Sequence, residues 1–373
     1  MIVLASVALS ADGYIDDSSP ERLVLSHAAD WQEVRRLRAD CDAVLVGAET
    51  VRKDNPSLRT KDETLKAMRR EHNRPEDPVK VTVSRSGNLD PRSRFFTQGS
   101  AEKIVIVGRN APQANIGRLR RAATVVRAES ETLSAAEIVE ILERRGIGSL
   151  MIEGGSRILT LFLTEDRVDL LRIAVAPFFV GDPQAPRFVG EGRFPFGPAR
   201  RMDVVRVERV GDMTVTLYAL HARAADRAYL RRTVDLARMC PPSQTAYSVG
   251  ALIVTPDRQL FTGYSRETAP DNHAEEEAIL KAVRAGVPLK GSVIYSSMEP
   301  CSSRKSKPLP CSELIIRHKM ARVVFATYEP DRFVDCCGER RLVEAGIEVT
   351  VLEELAAEAL AVNHHILGGH NTR

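Results

Sequence analysis

A histidine, a glutamate two positions on and two later cysteines are the most chemically loaded side chains of this sequence: His273-Ala274-Glu275, then Pro300-Cys301, then Cys311. One imidazole, two thiolates and a carboxylate are the parts of a zinc-dependent hydrolytic deamination. In the general pattern, H-x-E followed by P-C-x-x-C, the His and both Cys hold the metal and the Glu shuttles protons. Three protein ligands leave zinc a fourth position for water, and the metal lowers that water's pKa to about 7. The nucleophile attacks an amidine-like ring carbon, whose amino group must be protonated to leave. A carboxylate two residues from the ligand His, at the start of a helix, is placed to carry that proton. The spacing departs from the pattern, with residues 302–310 between the cysteines instead of two residues. The competing reading makes Cys301 and Cys311 buried thiols and His273 a hydrogen-bonded core histidine. It is disfavoured because three metal-type residues and the Glu stand in the required order.

A second chemistry is written in the first half by shorter signals. Ser10-Ala11-Asp12-Gly13 follows an apolar run. Val46-Gly47-Ala48-Glu49-Thr50-Val51 and Glu153-Gly154-Gly155-Ser156 each follow one and open a helix. Glycines at strand-to-helix turns let backbone N–H groups approach a phosphate, and the helix N-terminus favours its charge. Three such turns at the carboxyl ends of predicted strands point to a dinucleotide site. There is no G-x-G-x-x-G, which disfavours an ordinary Rossmann domain.

These groups need scaffolds, and the chain divides near residue 223 into two. Before that point apolar runs alternate with amphipathic stretches, as in an α/β domain. Strands are predicted over 2–8, 43–46, 79–83, 104–107, 150–152, 171–177 and 214–220, with helices over 30–39, 135–144 and 157–163. The charged, Pro-containing stretch between residues 59 and 78 reads as an exposed loop or short helix. Arg223-Ala224-Ala225-Asp226-Arg227 begins a new amphipathic helix, so the linker is short. The second half again alternates, with helices over 226–237, 274–285, 311–318, 340–345 and 355–364 and strands over 249–254, 293–297 and 323–326.

Length and composition agree with a two-domain intracellular enzyme. The 373 residues are 43% hydrophobic and 28% charged, enough for two ordinary cores. The apolar opening lacks a basic segment and meets Asp12 too early for a signal peptide or membrane span. Six cysteines, two of them committed to a metal, fit a reducing compartment, and Cys41, Cys240, Cys336 and Cys337 read as packing residues. A net charge of +3 is too small to imply a polyanion partner. Arg pairs such as Arg35-Arg36, Arg69-Arg70, Arg120-Arg121 and Arg340-Arg341 are dispersed among acids and read mostly as solvated helix faces. Aromatics make up 5%, too few for stacking platforms on single-stranded nucleic acid. His364, His365 and His370 could form a second metal site, but their irregular spacing reads better as a solvated chain end.

Thr245-Ala246-Tyr247-Ser248-Val249-Gly250, the His-x-Glu triplet, and Glu299-Pro300-Cys301-Ser302-Ser303-Arg304-Lys305-Ser306 through Pro310-Cys311 resemble the pyrimidine deaminases of riboflavin biosynthesis. The Thr-Ala-Tyr segment and the long Cys–Cys insert are more similar to the fungal form than to the common bacterial one, which usually has Asn in place of Ala246. The resemblance covers roughly 225–367, including Ala361-Val362-Asn363.

The first half, over nearly all of 1–222, resembles the reductase domain of the same pathway, a dihydrofolate-reductase-like fold. Ser10-Ala11-Asp12-Gly13, Leu37-Arg38-Ala39, Asp42 to Gly47, Asp54-Asn55-Pro56-Ser57-Leu58 and Glu153-Gly154-Gly155 carry it, and residues 81–96 and 175–183 are similar to an actinobacterial branch. The resemblance implies that Asp54 and Glu153 contact the sugar and base, with Arg38 on the 5′-phosphate and Leu58 and Lys61 also at the substrate. It implies that Gly47, Thr50, Gly154, Gly155 and Ser156 line an NADPH site. Two positions depart: Ser6 stands where bacterial bifunctional enzymes commonly have Lys, and Lys61 where Arg is expected. Lys offers a phosphate a charge but not a bidentate fork.

The expected architecture is therefore two three-layer α/β/α domains, a dihydrofolate-reductase-like reductase over 1–222 and a cytidine-deaminase-like zinc domain over 223–373. The implied substrate is 2,5-diamino-6-ribosylamino-4(3H)-pyrimidinone 5′-phosphate, reduced at its ribosyl group with NADPH and deaminated at its 2-amino group with zinc. Expected with it are a cytoplasmic homodimer and no nucleic-acid or membrane partner. The alternative is a zinc deaminase of a nucleic-acid base or another aminopyrimidine, joined to a catalytically silent binding or dimerisation module. Arg109 and the basic stretch 118–127, read alternatively as a solvated helix, are candidates for the 2′-phosphate of NADPH.

Overall fold

A computed structural model describes residues 1–19, 21, 23–304, 306–329 and 337–367. The chain forms two compact units, Met1–His221 and Ala222–Arg373.

The first unit is built on nine strands: β1 (Ile2–Ser10), β2 (Ala43–Gly47), β3 (Val79–Ser84), β4 (Lys103–Val107), β5 (Thr124–Arg127), β6 (Ser149–Ile152), β7 (Leu170–Ala176), β8 (Asp203–Val210) and β9 (Met213–Ala219). Their order is β5-β4-β3-β2-β6-β1-β7-β9-β8, parallel from β5 to β7, with β9 and β8 antiparallel at one edge. The central strands are near-continuous apolar runs because a parallel sheet is covered on both faces. Val3, Ala5, Val7 and Leu9 of β1 enter one core with Leu45, Ile152 and Phe162. Leu4 enters the other, with Val44, Val46, Met151 and the helix residues Val34 and Val51. That alternation makes three layers, with helices on both sides.

The second unit has five strands: β10 (Gly250–Val254), β11 (Leu260–Tyr264), β12 (Val293–Ser296), β13 (Arg322–Phe325) and β14 (Glu348–Val351), in the order β11-β10-β12-β13-β14. One face packs Ile253, Ile294, Val323 and Phe325 against helices Ala274–Arg284, Cys311–Arg317 and Gly338–Glu344. On the other lies helix Ala222–Ala237, whose Tyr229 ring meets Tyr295 of β12 at 5.2 Å between centroids. No helix among the described residues is long and apolar enough to cross a membrane.

Most predicted elements stand where the sequence puts them, and the structure adds β5, β8, β11 and β14. The stretch between 59 and 78 carries a helix, Glu63–Glu71. Residues 118–127 are not one solvated helix but a helix end, a turn and strand β5. Arg69 is no solvated arginine either. It is buried, and its guanidinium donates to the carbonyls of Pro75 at 2.5 Å, Ala39 at 2.6 Å and Cys41 at 2.7 Å, tying helix Glu63–Glu71 to the loop that follows it and to the segment before β2. Cys41 is buried as expected, Cys240 and Cys337 are half-buried, and Cys336, His370 and Lys305 lie outside the described residues.

Candidate active sites

In the first unit, the turns after β2, β3 and β6 open at the carboxyl ends of parallel strands, where α/β folds bind ligands. They line a cleft of about 1040 Å³ that includes Gly47, Thr50, Asp54, Glu153, Gly155 and Ser156. Gly47 caps helix Ala48–Asp54 and donates its N–H to the Gly154 carbonyl at 2.9 Å. Thr50, one turn into that helix, accepts the Gly155 N–H at 3.1 Å, so the two glycine turns are fastened to each other. Gly154 has φ +103°, a conformation L side chains rarely adopt. The Ser156 hydroxyl donates to the Arg187 carbonyl.

A second cavity of about 290 Å³ is lined by Arg38, Leu58, Lys61, Asp54 and Glu153. Trp31, Thr50, Asp54 and Glu153 line both cavities. Leu58 is buried with φ +47°, the left-handed region that is costly for a branched side chain, and such strain concentrates at ligand sites. Arg38 does not stand open to an anion. Its Nε and Nη2 donate to the two oxygens of Glu153 at 2.5 and 2.6 Å, a bidentate fork over the Trp31 ring. Arg35, Lys61 and Arg94 line the same cavity and form no ion pair among the described residues. Sequence reasoning missed Arg35, Trp31 and Arg94 because folding, not spacing, brings them here. Arg109 is not among the residues that line the cleft, and its carbonyl accepts from Arg127. Ser84 at the end of β3, with Arg85 and Ser86 in the turn after it, lines the cleft instead.

In the second unit, His273 stands at the N-terminus of helix Ala274–Arg284 and Cys311 begins helix Cys311–Arg317, while Cys301 lies in the loop after β12. The ligand atoms of His273, Cys301 and Cys311 lie within 4.8 Å of one another, the one group of metal-competent side chains among the described residues. His273 Nδ1 is 3.5 Å from Cys301 Sγ and 3.6 Å from Cys311 Sγ, and the Cys311 N–H donates to Cys301 Sγ at 3.3 Å. Hydrogen bonds from Cys311 and then His273 hold the Cys301 thiol well below the ordinary thiol value against burial. One imidazole and two sulfurs, one already favoured as thiolate, fit a zinc ion.

Glu275 is 3% exposed, and its Oε1 accepts the Ser296 hydroxyl at 2.9 Å. Burial, then the charge of Cys301, pushes its carboxyl above the ordinary value. Around it, Glu276 pairs with Arg304 at 3.0 Å and Lys307 at 2.8 Å, which ties the Cys301–Cys311 insert to the helix. Asn363 is buried and holds both backbone groups of Ser248, joining the Thr245–Ser248 segment to the end of the unit. Glu329, unnoticed in the sequence, titrates near the same charges: burial, then Cys301, pushes it to about 7. His364 and His365 bond backbone carbonyls and join no metal group among the described residues.

Residues 1–216 match the RibD C-terminal domain, and 223–327 match the cytidine and deoxycytidylate deaminase zinc-binding region. A 2,5-diamino-6-ribosylamino-4(3H)-pyrimidinone 5′-phosphate reductase of Archaeoglobus fulgidus is 30% identical over 56% of this chain and 94% of its own length. A diaminohydroxyphosphoribosylamino-pyrimidine deaminase of Schizosaccharomyces pombe is 43% identical over 34% of this chain, but over only 31% of its own length. The crystal structure of a pyrimidine reductase-like protein from Corynebacterium diphtheriae superposes with a TM-score of 0.52 over 59% of this chain and 92% of that one, at 22% identity, a likeness of fold. The chain belongs to the RibD C-terminal domain family, and carries after that domain a zinc-binding region of the cytidine deaminase type.

Proposed function

We propose that the two units work on one phosphorylated aminopyrimidine, 2,5-diamino-6-ribosylamino-4(3H)-pyrimidinone 5′-phosphate, one reducing its ribosyl group and the other replacing its 2-amino group with oxygen. The observation that carries the reductase is the junction of two cavities at Trp31, Thr50, Asp54 and Glu153, so a ligand in the smaller meets one in the larger at two carboxylates. NADPH in the larger cleft supplies the two electrons of the reduction. Gly47, Thr50, Gly154, Gly155 and Ser156 hold its phosphates, and Arg85 with Ser84 and Ser86 takes the place first given to Arg109. Lys61, with Arg35 and Arg94, receives the 5′-phosphate, beside the strained Leu58. Arg38 orients Glu153, which with Asp54 holds the sugar and moves its protons.

In the deaminase, His273, Cys301 and Cys311 hold zinc, which supplies Lewis acidity for hydrolysis. Glu275, steadied by Ser296, takes a proton from water and delivers it to the departing amino group. The enzyme acts as a cytoplasmic homodimer without nucleic acid or membrane; Val204 and Val207, exposed on edge strand β8, support a covering second copy.

Metal removal tests the division of labour. The purified chain is expected to hold about one zinc per subunit, and chelation is expected to abolish deamination while NADPH oxidation by the pyrimidine continues. Loss of both activities in folded protein, or of neither, contradicts two independent sites.

A further inference from the structure

The zinc ligands come from two separate pieces of chain. His273 caps helix Ala274–Arg284, whereas Cys301 and Cys311 stand at the two ends of the insert, residues 302–310. Hydrogen bonds dock the second piece on the first. Glu276, in the first turn of the helix, accepts Arg304 Nη1 on Oε2 at 3.0 Å and Lys307 Nζ on Oε1 at 2.8 Å. Lys307 Nζ also donates to Asn272 Oδ1, so it grips the chain on both sides of His273. Asn272 is buried and held from its other end, its Nδ2 donating to Glu277 Oε1 at 2.8 Å and to Thr268 Oγ1 at 3.2 Å. Glu277 Oε1 also accepts the Thr268 N–H at 2.8 Å, which closes the 268–272 loop on the helix. The Arg304 side chain is 5% exposed and that of Glu276 14%. An ion pair so little exposed is costly to break from one side, because the partner stays behind as a buried, unpaired charge.

We infer that Glu276, through Arg304 and Lys307, is the positioning residue that sets how tightly the deaminase unit holds its metal. This rests on the functional reading above, in which His273, Cys301 and Cys311 take zinc. Glu276 is not itself one of the metal-competent group. Bringing ligands together from two pieces of chain costs conformational entropy, and that cost falls on metal binding unless the fold has already met it. With both oxygens of Glu276 engaged, the insert and the start of the helix keep one placement before any ion arrives. Two cysteines two residues apart share one turn of chain. A longer insert has more conformations to lose, and this one supplies its own two braces. Groups that hold metal ligands in place typically change metal affinity roughly 10- to 100-fold.

The test measures the zinc affinity of the full chain by competition with a chromogenic chelator, beside denaturant unfolding of the zinc-free protein and NADPH oxidation. The variants are Glu276→Gln, Arg304→Met, Arg304→Lys and the double variant Glu276→Gln/Arg304→Met. Glu276→Gln and Arg304→Met are each expected to weaken zinc binding roughly 10- to 100-fold, with NADPH oxidation at the wild-type level. Arg304 offers Glu276 one N–H rather than a fork, so an ammonium can replace it, and Arg304→Lys is expected to keep most of the affinity. The double variant is expected to bind zinc no more weakly than Glu276→Gln alone, because both changes undo one dock. Wild-type affinity in folded Glu276→Gln overturns the inference, and lowered stability beside that affinity marks Glu276 as merely structural. A loss that Arg304→Lys shares in full with Arg304→Met overturns it too, and these two variants decide the matter if Glu276→Gln does not fold. A wild-type chain that takes up no zinc overturns the functional reading itself, and the role of Glu276 with it.

Discussion

Glu275 enters the deaminase site buried, with one oxygen fixed by Ser296 and no part in the group of metal-competent side chains. A carboxylate that only moves protons can be removed without losing the metal. Glu275→Ala is expected to keep zinc on His273, Cys301 and Cys311 while deamination falls roughly 10²- to 10⁴-fold. Metal analysis beside a product assay checks it; a variant without zinc, or with wild-type turnover, contradicts the role. This site was legible in the sequence because ligand chemistry imposes order and spacing on few residue types. The reductase cleft was legible only in part. Glycine turns at strand ends announce a phosphate, but the engagement of Arg38 with Glu153 joins residues far apart in the chain, and no local pattern encodes it. Arg109 failed for the same reason: a basic residue after β4 has the right charge, but the cleft is lined by Arg85 after β3.

At the scale of elements, the four strands absent from the sequence reading are the four sheet edges, β5 and β8 in one sheet and β11 and β14 in the other. Interior strands are apolar on both faces and show as runs, whereas edges carry polar residues on a solvated face. In β8, Arg206, Glu208 and Arg209 break the run, and β14 is Glu-Val-Thr-Val. One edge residue positions chemistry. A Cβ on Gly263 of β11 would stand 2.3 Å from the Ala274 carbonyl and 2.6 Å from the Ala278 nitrogen, so glycine lets the helix bearing Glu275 lie against the sheet. The contact is with backbone, which cannot rotate away. Gly263→Ala is therefore expected to cost about 1–3 kcal/mol of stability in that unit and to reduce deamination, with NADPH oxidation unchanged. Denaturant unfolding and paired activity assays check this; unaltered stability and deamination contradict it.

At the scale of the whole molecule, the division near residue 223 was legible because an amphipathic helix starts directly after the last strand of one sheet, and the two units meet in sequence at His221 and Ala222. With two active sites on one chain the order of the two reactions matters, and we expect reduction to come first. The long Cys301–Cys311 insert and Thr245-Ala246-Tyr247 are more similar to the fungal form of the deaminase than to the common bacterial one. A site shaped for an open, hydroxyl-rich ribityl chain discriminates against the closed ribosyl ring by roughly 10- to 100-fold. The most direct measurement incubates the zinc-loaded chain with the ribosylamino pyrimidine phosphate, with and without NADPH, and follows the products by mass over time. Without NADPH the compound is expected to persist nearly unchanged; with NADPH the reduced diamino species is expected first, and the deaminated ribityl product after it. Rapid deamination of the ribosyl compound in the absence of NADPH contradicts this order, and no conversion under either condition contradicts the function.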